Sequence, residues 1–258
     1  MTSQASGQPI LEARGLSRSF GNVRALDHAD FDIYPGEVVA LIGDNGAGKS
    51  TLVKALSGNL DLDSGEIRYR GQLVDLDSPH AATGLGIETV YQDLALAPHL
   101  NATQNMFLGR EIPANGIAGR LGFMNNTTMR TKAQAALDEL GATVRSMTAQ
   151  VGSMSGGQRQ AIAIARAVSW ADGVVFLDEP TAALGVVQTR NVLDTIRKVA
   201  DRGVAVVFIS HSMPHVIEVA DRIQVLRLGR RVATYEASNT TMEELVGAMT
   251  GAIVGAAK

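Results

Sequence analysis

Nine consecutive residues, Gly43-Asp44-Asn45-Gly46-Ala47-Gly48-Lys49-Ser50-Thr51, follow the apolar run Val38-Val39-Ala40-Leu41-Ile42 and fit the spacing G-x-x-x-x-G-K-[ST]. Glycines at 43, 46 and 48 let the backbone curl so that successive N–H groups point at phosphate oxygens. A helix beginning near Lys49 adds its positive end to the same place. Lys49 then brings a mobile positive charge and Ser50 a hydroxyl for Mg²⁺. The chemistry implied is the binding of a nucleoside triphosphate, with Asp44, Asn45, Ala47 and Thr51 completing the cradle; the plain alternative is a glycine-rich turn without a ligand. Further on, Val174-Val175-Phe176-Leu177 runs into Asp178-Glu179-Pro180. A buried parallel strand that delivers carboxylates to the C-terminal edge of a sheet has this form. Asp178 is placed to hold Mg²⁺, and Glu179, one residue on, to orient an attacking water.

A third motif, Met154-Ser155-Gly156-Gly157-Gln158, opens the alanine-rich run Arg159-Gln160-Ala161-Ile162-Ala163-Ile164-Ala165-Arg166-Ala167-Val168, which favours a tightly packed helix capped by Ser155. Two glycines and a capping hydroxyl at a helix start make another anion site. One chain has no use for two sites on one γ-phosphate, so the second belongs to a neighbouring molecule's nucleotide. By itself the pentapeptide also reads as an ordinary helix cap.

In this order and spacing the three motifs resemble the ATP-binding cassette (ABC) ATPases, and the resemblance covers nearly the whole chain. It implies ATP and Mg²⁺ as cofactors, with Ser155, Gly156, Gly157 and Gln158 of one copy meeting the nucleotide of another. Phe20 stands where the family stacks an aromatic on adenine; its other reading is a core residue of a small sheet. Gln92, in Val90-Tyr91-Gln92-Asp93, stands at the family's switch glutamine, which senses Mg²⁺ and the γ-phosphate. His211, after Val204-Ala205-Val206-Val207-Phe208-Ile209-Ser210, stands at the switch histidine. The remaining histidines, His28, His80, His99 and His215, read as structural or solvated. After Pro180 the chain has Thr181-Ala182-Ala183-Leu184-Gly185, with glycine where most members carry an aspartate that helps couple the two sites.

That variant, the loop Gly43 to Ser50, the segment Phe107-Leu108-Gly109-Arg110-Glu111 and the ending Met249-Thr250-Gly251-Ala252 resemble the sugar-importer branch, in particular the ATP-binding subunits of ribose, xylose and fructose type importers. With one copy of each motif the chain resembles the single-cassette fructose type. The resemblance implies a homodimer under membrane permease subunits, served indirectly by an extracytoplasmic sugar-binding protein. Two other readings stay open: a soluble single-cassette ABC ATPase that moves no solute, and a nucleotide sensor idled by Gly185.

The expected fold class is α/β, an ABC ATPase with a RecA-like parallel-sheet core, a small antiparallel β subdomain and a helical subdomain. Alternation around Ile10 to Tyr34 predicts the small sheet, carrying Phe20. Strands near Val38 to Ile42, Gly86 to Tyr91, Val174 to Leu177 and Val204 to Ser210 alternate with helices, as a parallel sheet requires. Leu94 to about Val168 reads as mostly helical, with a Gly- and Asn-bearing connection at Ile112 to Asn126. Asn191 to Arg202 reads as a core-packing helix, Ile223 to Tyr235 as a closing hairpin and Met242 to Met249 as a last helix. The chain reads as one domain over 1–258, with core and β subdomain at about 9–93 and 169–250, helical subdomain at about 94–168 and a loose tail at 251–258.

Composition agrees. A 258-residue chain with 45% hydrophobic content and mean hydropathy +0.07 can bury a substantial core and suits a soluble α/β protein. No apolar run approaches the roughly 20 residues of a membrane span, and Met1 to Pro9 lacks the basic and apolar regions of a signal peptide. The expected location is cytoplasmic, peripheral on the inner face of the membrane. The absence of cysteine fits a reducing compartment. A net charge of −3 argues against a nucleic-acid partner, since counterion release requires a basic face.

Overall fold

Strands buried on both faces need no polar alternation, and two runs here have none: Val38–Ile42 and Ala205–Ile209 are buried at every residue. The computed structural model describes residues 7–252 apart from 143, 145 and 183. In chain order its elements begin with β1 (Leu11–Phe20), β2 (Val23–Ile33), β3 (Val38–Ile42), α1 (Lys49–Leu56), β4 (Ser64–Tyr69), β5 (Gln72–Val74), α2 (Pro79–Gly84) and β6 (Ile87–Val90). The helical stretch holds α3 (Ala102–Phe107), α4 (Ile117–Arg120), α5 (Asn126–Glu139) and α6 (Gly156–Trp170). Then follow β7 (Val174–Asp178), α7 (Val186–Asp201), β8 (Ala205–Ile209), α8 (Met213–Val219), β9 (Arg222–Arg227), β10 (Arg230–Glu236) and α9 (Met242–Thr250).

The chain divides into two units. The first contains both sheets. Its larger sheet has strand order β10-β9-β3-β8-β7-β6, with β3 parallel to β8 and β9, β7 parallel to β8, and β10 closing antiparallel on β9. Its smaller sheet is antiparallel, in the order β2-β1-β4-β5. Phe31, Leu11, Leu16 and Leu26 of the small sheet join Leu41, Phe176 and Val207 of the large one in a single core.

A charged cluster ties the two sheets where β3 begins. Arg222 donates to Asp32 at 2.7 Å and to Glu37 at 3.0 Å, Arg231 donates to Asp32, and the fully buried Gln224 donates to the Asp32 carbonyl at 2.6 Å. Burial pushes the Asp32 carboxyl upward, but the Arg231 and Arg222 guanidiniums outweigh it and hold the group below its ordinary pKa. For Glu37 burial prevails over Arg222, and the pKa is raised.

The second unit comprises Val90–Trp170 and Thr181–Thr195, so it takes in a stretch after Pro180 that the sequence reading groups with the core. Asn101 and Gln104 form a reciprocal cap on α3. Asn105, fully buried, donates to the carbonyls of Ala97, Leu100 and Asn101 and fixes the loop before that helix. Trp170, at the end of α6, donates to the Met106 carbonyl and meets the Phe107 ring edge-on at 5.5 Å.

Three elements differ from the sequence expectation. The small sheet also includes β4 and β5, short strands that bury Ile67 and Tyr69 and pack Val74 against the core. Helix α7 starts at Val186, not Asn191; Val186 and Val187, 89% and 69% exposed, fall outside the amphipathic pattern, which therefore does not reveal that start. The Ile112 to Asn126 connection contains the short α4 and a bridge between Pro113 and Met124. The expected tail lies outside the described residues beyond Ala252. Among the described residues no helix is long and apolar enough to cross a membrane.

Candidate functional site

The first unit holds the phosphate loop between β3 and α1. Gly43 and Gly48 have φ of 155° and 104°, and a Cβ on either would lie 2.2 Å from the Leu226 carbonyl oxygen or 2.5 Å from that of Ala25. Only glycine fits either place. The loop is braced from behind by the β9–β10 turn, where Gly229 N–H donates to the Ala47 carbonyl at 2.9 Å. Lys49 is 8% exposed, and its ammonium donates to the carbonyls of Gly43 at 2.7 Å and Asp44 at 3.0 Å. Its pKa is lowered by burial, against the opposing pull of Glu179, Asp178 and Asp44. Ser50 and Thr51 lie in the first turn of α1.

The acids come from β7, two places along the sheet from β3 with β8 between. Asp178 is the last residue of β7, paired in register with Ile209 of β8. Glu179 follows at φ +50°, a left-handed conformation rare for a residue with a Cβ, held by its N–H donating to the Ile209 carbonyl at 3.0 Å. Strain of this kind costs about 1–3 kcal/mol and persists only where surrounding structure imposes it. It turns the Glu179 side chain toward His211, whose Nε2 is 3.3 Å from Glu179 Oε1. That oxygen is buried and has no partner of hydrogen-bond geometry, so the contact is a close approach and the oxygen keeps an open acceptor position. The histidine leaves β8 through a turn in which Ser212 N–H donates to Ser210 Oγ.

Burial raises the pKa of both acids. For Asp178 it outweighs Lys49, His211 and Lys54. For Glu179 it outweighs His211, with Asp178 adding to the rise. A carboxylate so placed accepts a proton more readily than a solvated one, as activating a water demands.

Phe20 ends β1 at the tip of the β1–β2 hairpin and is 49% exposed, which removes the reading as a core residue. It is framed by two residues that the sequence reading did not single out. Arg18 lies over one face of the ring at 5.3 Å, and Asp63 accepts from Arg18 at 3.2 Å and from Ser19 N–H at 2.7 Å. The sequence signal for Arg18 is its place two residues before Phe20, although β1 pairs irregularly between Arg18 and Ser19, so alternation alone does not bring the two side chains together. Nothing in the sequence pointed to Asp63, 43 residues further on.

The second unit carries the other candidates. Ser155 caps α6, its Oγ accepting from Gln158 N–H at 3.3 Å, and Ser155 N–H in turn donates to Gln158 Oε1 at 3.2 Å. The expected cap is thus a reciprocal box, and the Gln158 side chain is engaged in it. Gly156 and Gly157 form the first turn of α6. Gln92 is exposed in a turn after β6, and the following residues Leu94 and Ala95 offer their carbonyls to Arg166. Gly185 precedes α7 and takes its carbonyl into that helix through Thr189 N–H. Its backbone is not one that requires glycine. Phosphate loop, Glu179 and His211 are thus brought to one sheet edge, while Gln92, Ser155 to Gln158 and Gly185 belong to the other unit.

A parallel sheet with this loop at one strand's end and acids at another's is a P-loop ATPase cassette. The comparisons narrow the class: the family model for "ABC transporter" matches residues 26–182, and the chain belongs to that family. It is 52% identical to the fructose import ATP-binding protein FrcA of Rhizobium meliloti, over 95% of each chain. It is 44% identical to the xylose/arabinose import ATP-binding protein XylG of Sulfolobus acidocaldarius, over 95% of this chain and 96% of that one. Among solved structures, the ATP-binding cassette MJ1267 in its ADP conformation superposes with a TM-score of 0.77 at 22% identity, over 95% of this chain and 96% of that chain, and attests the fold.

Proposed function

We infer that this chain is the ATP-hydrolysing subunit of a sugar ABC importer, working as a homodimer beneath membrane permease subunits on the cytoplasmic face. The identity of 52% to a fructose import ATP-binding protein, over 95% of both chains, carries the import assignment. The catalytic half rests on Lys49 in its loop and on Glu179 beside His211.

In this reading the N–H groups of Gly43 to Thr51 and the Lys49 ammonium hold the ATP phosphates, and Phe20 stacks on the base. The carboxylate of Glu179 takes a proton from the attacking water, while His211 keeps that carboxylate in place and reaches toward the γ-phosphate. Ser155 and the first N–H groups of α6, contributed by the second copy, meet the same phosphate. Gln92 reports the state of the site to the second unit. Ser50 and Asp178 would hold Mg²⁺, which when bound neutralises phosphate charge. Their hard oxygen donors suit it, and no cluster of three or more His, Cys, Asp or Glu occurs among the described residues to favour another metal.

The test is purification of the tagged protein from gently solubilised membranes of its native host, followed by mass spectrometry. A co-purifying multi-span permease with a sugar-binding protein supports the importer. Recovery only in soluble complexes sinks transport and leaves the ATPase standing.

A further inference from the structure

Phe20 offers one face only. Its ring stands at a hairpin tip with the Arg18 guanidinium over the other side, 5.3 Å from the ring centre. The cation is itself held. Asp63 is pinned to β1 by its own N–H donating to the Ser17 carbonyl at 2.9 Å, and its carboxylate receives Arg18 Nη1 at 3.2 Å and Ser19 N–H at 2.7 Å. One carboxylate thereby fixes the strand immediately before Phe20 and the group that covers the ring. Arg18 keeps only 26% of its side-chain surface, and its Nε is buried with no hydrogen-bond partner, so packing against the ring holds it as much as its charge does.

We propose that Arg18, clamped by Asp63, is a positioning residue for the nucleobase, closing one face of Phe20 and presenting the other as a fixed, cation-backed stacking platform. The inference rests on the reading that Phe20 takes the base. A ring already immobilised loses little freedom when a base arrives. The cation draws π-density toward itself, and the free face accepts an electron-rich purine more readily for it. Arg18 acts through Phe20, so it strengthens binding of nucleotides and leaves binding of the bare phosphate chain unchanged.

Calorimetric titration of the full-length protein with ATP and with inorganic tripolyphosphate separates these effects. Arg18→Ala should weaken ATP by about two- to five-fold, the range of a partly exposed cation–π contact, and leave tripolyphosphate unaltered. Asp63→Asn should show a smaller change of the same kind, and Arg18→Lys should recover part of the loss. Arg18→Ala added to Phe20→Ala should cost nothing further. In steady state the effect should appear in KM and not in kcat. Equal weakening of ATP and tripolyphosphate would make Arg18 a phosphate-binding charge and overturn the proposal. Unchanged ATP affinity in Arg18→Ala and Arg18→Lys, beside a weakened Phe20→Ala, would overturn it and leave the base-stacking reading intact. An unaffected Phe20→Ala would remove that reading and the proposal with it.

Discussion

At Glu179 two demands fall on one carboxyl group: it must stay folded against a strained backbone, and it must be ready to take a proton. Burial raises its pKa, with Asp178 assisting and His211 opposing. Because the folded value lies above the unfolded one, the group adds stability below the unfolded pKa and loses it as pH rises through the folded pKa. In its charged form Glu179 weakens the fold it serves. The isosteric Glu179→Gln removes that charge and should raise Tm at neutral pH by about 2–4 °C, with the gain fading as pH falls and Glu179 takes up its proton in the folded and then the unfolded chain. The same variant should lose ATP turnover by about a hundredfold or more, the scale of a positioned general base. Melting curves over a pH series and a phosphate-release assay check the pair. A variant that is neither more stable nor less active would remove both roles from Glu179.

Elements were legible in the sequence to the degree that their residues advertise a single environment. β3, β7 and β8 are continuous β-branched and apolar runs because both their faces are covered, and the loop and acids that follow them were read at the right positions. β4 and β5 are not, since strands of six and three residues are too short to set a period, and the Val186–Val187 start of α7 is concealed by its exposure. Also hidden was the way distant residues meet. Arg222 is 190 positions from Asp32 and 185 from Glu37, yet it joins them at the start of the central strands. Its loss should therefore act on the junction of the two sheets. Arg222→Ala leaves two buried carboxylates short of a partner and should lower the unfolding free energy by about 3 kcal/mol at neutral pH. The loss should shrink in acid as Asp32 and Glu37 take up protons, which urea titrations at several pH values would reveal. Near α7 the expectation runs the other way. A Cβ at Gly185 meets only Gln188 Oε1 at 2.7 Å, the far end of a flexible side chain. Gly185→Asp should fold unimpaired, since an acid beside a helix start is favourable by about 0.3–1 kcal/mol. Any change in its ATPase rate then reflects function and not stability.

At the scale of the whole molecule, the proposed function gives the Ser155 to Gln158 cap a γ-phosphate that belongs to another copy. The phosphate loop and Glu179 lie in one unit and the Ser155 to Gln158 cap in the other. If two copies exchange these parts across a two-fold axis, each ATP is held by Lys49 of one and Ser155 of its mate. A variant in either half then disables both sites of its own homodimer, but the two variants damage opposite halves. Lys49→Ala and the exposed Ser155→Arg should each be inactive alone, with Ser155→Arg also losing about 1 kcal/mol of helix-cap stability. Mixed in equal amounts, half of the dimers pair one variant with the other, and each of these contains one site with both Lys49 and Ser155 intact. Activity should return to about a quarter of wild type if the sites act independently, and rise as the mixture is concentrated. Sites that must fire together would give less than a quarter but still more than either variant alone. A mixture as silent as its components at every concentration would mean that each chain completes its own site, and the composite arrangement would have to be abandoned.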